Sequence, residues 1–113
     1  MPRILIDKFS EFQGNFGMKF QPFHADEIST PDFQWYPVYQ ELLFSEDQWA
    51  SVLTKANQTK DIWLDLFDAY SMKILQQNFD LVFGLKLQVS VLFNCNVIRN
   101  LSEIDLSGKK LII

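Results

Sequence analysis

The chain has 113 residues, 48% of them hydrophobic, 15% aromatic and 21% charged, which is enough to pack one domain spanning residues 1–113 and excludes a disordered tail. A single cysteine, Cys95, excludes an internal disulfide framework and fits a reducing compartment. The net charge of -4 arises wholly in the first half, where residues 1–56 carry four basic and eight acidic side chains against six of each in residues 57–113; an acidic surface repels phosphate backbones and disfavours direct nucleic-acid binding.

The opening MPRILIDKFSEF places Asp7 and Lys8 after a short apolar run, unlike a secretion signal or a transit peptide. The apolar stretch Phe79 to Phe93 is broken by Asp80, Lys86, Gln88 and Ser90, short of the about 20 apolar residues a spanning helix needs. A cytoplasmic chain without membrane contact is expected. Arg3 to Ile6 reads as an opening strand, with an amphipathic helix reaching Phe16 as the alternative, because Phe9, Phe12 and Phe16 fall at helical spacing. After Gly14-Asn15 and Gly17, Met18 to Phe23 alternates as an edge strand would. His24 to Asp32 is polar and reads as a loop, and Pro37 keeps the apolar residues around it out of a central strand and a helix interior.

Ser45 is the sharpest local signal. Its hydroxyl can accept from the Gln48 amide while the Gln48 side chain reaches back, Glu46 and Asp47 suit the positive end of the helix dipole, and Phe44 can pack on Trp49. Trp49, Val52, Leu53 and Ala56 mark the buried face of that helix. Thr59 can cap a second, with a stripe of Trp63, Leu66, Phe67, Tyr70 and Ile74 ending near Asn78. From Leu85 the period becomes two, through Leu87, Val89, Val91 and Phe93, and predicts a strand; Ser107-Gly108 predicts a turn into a last strand over Leu111 to Ile113. These elements give an α+β fold: a small single domain with about two central helices packed on an antiparallel sheet built from N-terminal and C-terminal strands.

Catalytic signatures are missing. Cys95 in the apolar run Leu92-Phe93-Asn94 reads as a buried packing residue, and His24 beside Asp26 and Glu27 as a solvated histidine without the second His or Cys a zinc site needs. Asp61, Asp65 and Asp68 fall at i, i+4 and i+7 on the second predicted helix, an acidic stripe that reads as its wet side or as a row of contacts for Lys and Arg of a partner. No phosphate-binding, nucleophile-elbow or metalloprotease motif occurs. An enzyme, a metal and a cofactor are therefore not expected.

Between Lys19 and Lys55 the sequence holds no Lys or Arg, yet it holds Asp26, Glu27, Asp32, Glu41, Glu46 and Asp47 together with Trp35, Tyr36 and Tyr39. Large aromatics at a surface anchor interfaces, and a rim of one charge steers the opposite charge in. These nine residues are the candidate partner-binding set, and the expected partner is a basic protein. In size, acidity and lack of a catalytic set the chain is similar to small inhibitors of basic enzymes, such as bacterial immunity proteins against nuclease toxins, or phage-encoded inhibitors. A structural subunit that self-associates through its aromatics, as a homodimer, is the alternative.

Overall fold

The structure is a computed structural model and describes residues 2–113. Helix α1 (Pro2–Ser10) leads into strand β1 (Gly17–Phe20), two short helices α2 (Ala25–Ile28) and α3 (Tyr36–Glu41), and the longer α4 (Glu46–Asn57). Strand β2 (Asp61–Leu66), helix α5 (Ala69–Gln77), strand β3 (Val82–Leu87), helix α6 (Cys95–Ser102) and strand β4 (Lys110–Ile112) follow.

Helix and sheet are both present, as expected, but the sheet corrects the predicted fold. Its four strands run in the order β1-β2-β3-β4 and every pairing is parallel, not antiparallel. Parallel neighbours need a crossover, and a helix fills each one: α4 between β1 and β2, α5 between β2 and β3, α6 between β3 and β4. Such crossovers are right-handed with few exceptions, so sequential order puts the connecting helices on one face. Burial agrees. Ile62, Leu64 and Leu66 of β2 and Val82, Leu85 and Leu87 of β3 are buried with Leu53 and Ala56 of α4, Met72, Ile74 and Leu75 of α5, and Val97 and Leu101 of α6.

Segment by segment, the predictions divide. The first element is a helix and not a strand, and it stops at Ser10 rather than reaching Phe16. The residues beyond are held from outside: the Lys60 ammonium, itself buried, donates to the Phe12 carbonyl at 2.7 Å. β1 is an edge strand as expected, beginning one residue earlier and ending three residues earlier than Met18 to Phe23 suggested. The polar loop after it contains α2, and Pro37 sits in the first turn of α3, where its missing N–H costs nothing. The Ser45 start is as predicted in every part: both capping-box bonds form, at 3.2 and 2.8 Å, Phe44 lies 5.1 Å from Trp49 between ring centres, and Trp49, Val52, Leu53 and Ala56 are buried.

The largest misreading is at 61–66, which is the central strand β2 and not the start of a helix. The helix begins eight residues later, where Asp68 caps it by accepting the Ser71 amide at 2.7 Å, and it ends at Gln77 before Asn78. β3 stops at Leu87; Val89 to Phe93 wind into a 3-10 turn that buries Val91 and leaves Phe93 81% exposed. The turn at Ser107-Gly108 and the last strand are as predicted, one residue earlier at each end. Among the described residues no helix is long and apolar enough to cross a membrane.

Candidate functional site

The candidate acids and aromatics of residues 26–41 are brought together by α2 and α3. His24 caps α2 through Nδ1, which accepts the Asp26 amide at 3.4 Å, and its own amide donates to Asp68 Oδ2 at 2.7 Å. Asp68 thus fixes the loop leaving β1 and the start of α5 at once, a structural part rather than a member of an acidic stripe. The Tyr36 hydroxyl donates to Asp26 Oδ1 and fastens α3 to α2. That hydrogen bond, with burial and the Asp26 charge adding to it, raises the Tyr36 phenol above its ordinary range.

Tyr39 stands edge-on to Phe23 at 6.0 Å and stacks on Phe33 at 6.5 Å, half-buried between them. Phe33 and Trp35 remain exposed, at 45% and 52%. On the same run of chain Asp26, Glu27, Asp32 and Glu41 are exposed as well. The Thr30 side chain and the Asp32 amide hold the Asp32 carboxyl below the usual carboxylate range. Asp26, Glu27, Asp32, Trp35, Tyr36, Tyr39 and Glu41 therefore share one stretch of surface-bearing structure, with Tyr36 and Tyr39 partly covered by their neighbours.

Glu46 and Asp47 do not join them in the same way. They lie at the start of α4 in a depression shared with Ser45 and Tyr70, and Glu46 is already paired, with the Lys73 ammonium at 2.5 Å and the Gln77 amide at 2.6 Å. The interval without Lys or Arg is thus real along the chain but is closed in space at Glu46, where α5 supplies a cation. That cation, then Gln77, pulls the Glu46 carboxyl below its usual range.

The predicted Asp61, Asp65 and Asp68 stripe does not exist as a helix face. Asp61 and Asp65 are on β2, on the sheet face away from the helices, and Asp65 is buried between the ammonium groups of Lys19 and Lys86, which reach its Oδ2 at 3.3 and 3.4 Å. Its Oδ1 meets no partner among the described residues. On the same face Trp63 lies across the strands to either side: a Cβ on Gly17 would stand 2.5 Å from its Cδ1, and one on Gly84 2.5 Å from its Cζ3. Two glycines are what let the indole lie flat there. Cys95, expected to be buried, is exposed as the first residue of α6, because the apolar run before it winds into a 3-10 turn at the surface.

Compared with family models, with curated proteins and with solved structures, the chain matches none.

One further feature had no signal in the pattern of charge. Between α1 and the end of α3, beside β1, opens a cleft of about 670 Å³ walled by Leu5, Phe9, Met18, Phe20, Leu42 and Phe44. Glu41 stands on its rim, and Lys19 contributes to the wall while its ammonium is held on the opposite face of the sheet by Asp65. The exposed residues of α1, Leu5 and Phe9, were visible as apolar positions, but their placement beside the edge strand β1 and the end of α3 comes from packing between segments far apart in sequence. No group of three His, Cys, Asp or Glu among the described residues could hold a metal ion.

Proposed function

We propose that this chain is a protein-binding module of the inhibitor or immunity type, which covers a basic surface on a partner protein such as a toxin or nuclease. The observation that carries the reading is the pairing of exposed Phe33 and Trp35 with Asp26, Glu27, Asp32 and Glu41, on a run of chain that contains no cation. Exposed aromatics supply the desolvated anchor, and the carboxylates around them steer a cationic surface and fix its register. Tyr36 and Asp26 hold the two short helices in one arrangement, so the anchor is preorganised and little ordering cost falls on binding.

The test is charge reversal. The protein with Asp32→Lys and Glu41→Lys together, both exposed positions that leave the core intact, should lose a one-to-one complex that the unaltered chain forms and that weakens with added salt. An unchanged complex sinks the site assignment.

A second reading, a self-associating structural subunit, draws on a different observation. Parallel sheets are ordinarily covered on both faces, and here the face bearing Trp63, Phe83 and Ile112 carries no connecting helix, with Phe83 and Ile112 exposed. A dimer that persists at high salt, where exposed charges are screened over about 8 Å, would favour it.

A further inference from the structure

Among the described residues strand β1 has a neighbour on one side only. The Phe16 carbonyl accepts from the Asp61 amide at 3.4 Å, which sets the phase of the ladder. In a parallel pair alternate residues turn both main-chain groups to the same side, so Met18 and Phe20 serve β2, while the N–H and C=O of Gly17 and Lys19 point out of the sheet. They point into the cleft, since Gly17 and Lys19 are part of its wall.

The chemistry of the cleft is one-sided. Its side chains are apolar except for Glu41, and the one lysine that borders it spends its charge on the other face, against Asp65. A groove that offers a row of unpaired amides and carbonyls, apolar walls and a single carboxylate fits an extended peptide strand with apolar residues and a Lys or Arg among them. A helix would leave the main-chain groups unmet, and an acidic segment would meet Glu41. The groove also adjoins the surface described above, because Glu41 and Leu42 close α3.

We infer that the cleft is a strand-addition site: an extended, apolar and basic segment of the partner lies along β1 as a fifth strand, its backbone bonded to Gly17 and Lys19, its apolar side chains against Leu5, Phe9 and Leu42, and a cation at Glu41. This rests on the protein-binding reading and gives it a recognition mode, main-chain pairing for affinity and wall contacts for selectivity.

The experiment uses the full chain and a blocked peptide of alternating valine and lysine, with two controls: the same peptide N-methylated on alternate residues, so that it cannot pair, and an equally charged peptide of alternating glycine and lysine. Binding is followed by titration calorimetry and by amide exchange. The inference predicts binding of the first peptide, at least a tenfold loss for either control and for Leu42→Asp, and slowed exchange at the Gly17 and Lys19 amides. Equal binding of all three peptides, or binding without protection at those amides, overturns it. Leu42 is 55% exposed, so Leu42→Asp leaves the fold intact, and Phe9→Asp serves as a second cleft variant. The natural complex separates the two claims. A complex that tolerates Leu42→Asp and Phe9→Asp but is lost with Trp35→Ala overturns the cleft inference and leaves the protein-binding reading standing. Strand pairing with the peptide but no natural complex overturns the reading and leaves the pairing chemistry.

Discussion

The Tyr36 hydroxyl donates to Asp26 Oδ1 and is the side-chain tie between the two short helices that carry the exposed aromatics. A phenol bonded to a carboxylate resists ionisation, so Tyr36 titrates above its ordinary value of 10.0. A raised phenol pKa contributes stability that is fully present below that ordinary value and is lost as pH rises through the folded value. Tyr36→Phe should therefore flatten the alkaline loss of stability, and Asp26→Asn should bring the Tyr36 transition back down toward its ordinary value. Urea midpoints of Tyr36→Phe across alkaline pH read the first effect, and ultraviolet difference titration of Asp26→Asn against the unaltered protein reads the second.

At the acid end the sign reverses. Glu46 is held below its ordinary value of 4.5 by Lys73 and Gln77, so its contribution is present above that value and lost as pH falls through the folded pKa. Glu46→Gln should lower stability at neutral pH and reduce its further decline on acidification. Urea midpoints at neutral and strongly acid pH measure the difference. The same variant should leave partner binding nearly unchanged, because Glu46 is already occupied by Lys73.

Trp63 and Gly84 test the packing of the sheet face away from the helices. With Gly84 replaced by alanine, the added methyl would stand 2.5 Å from the indole, and relief of such overpacking costs about 1–3 kcal/mol. Gly84→Ala should destabilise by that order in urea unfolding, and much less in a Trp63→Val background. Equal costs in both backgrounds would place the strain elsewhere.

Lys60 is 7% exposed, and its ammonium donates to the Phe12 carbonyl. Hydrogen bonds from charged groups contribute about 1.5–3 kcal/mol. Lys60→Met keeps the stem and removes the donor, so it should lower stability by about that amount and speed proteolysis between Glu11 and Phe16. Ser45→Ala removes the α4 cap and should cost about 1 kcal/mol.

Local signals were legible in the sequence where one residue decides one bond. Ser45 and Gln48 cap α4 as their spacing requires, and Ser107-Gly108 turns the chain into β4 with Gly108 at φ 81°. The central strand was not legible for a physical reason. In Ile62-Trp63-Leu64-Asp65-Leu66-Phe67 both faces carry large apolar groups, so the alternation of a half-buried strand is absent, and Trp63, Phe67, Tyr70 and Ile74 imitate a helical stripe across a strand and the helix after it. Asp68 with Ser71, read as a helix start, would have separated them. Carrying the alternation of β3 past Leu87 hid α6, and without α6 there was no crossover to make β4 parallel.

The site divides along the same line. The acids of residues 26–41 and Trp35 were readable as composition, whereas Phe33, whose wholly apolar ring reads as core more readily than Tyr36 or Tyr39, is the exposed one and both tyrosines are half-buried. The cleft, the Lys19–Asp65–Lys86 cluster and the flat Trp63 arise from strands far apart in sequence meeting in register. No local pattern encodes that meeting.

The measurement that bears most directly on the protein-binding reading is the intact mass of the complex recovered with the tagged full chain from its native host, taken at low and then at high salt. The account predicts a basic protein held one-to-one, released as salt rises, and absent when Trp35→Ala is the bait. Recovery of the chain alone as a dimer indifferent to salt would contradict it and make the aromatic surface a contact between copies.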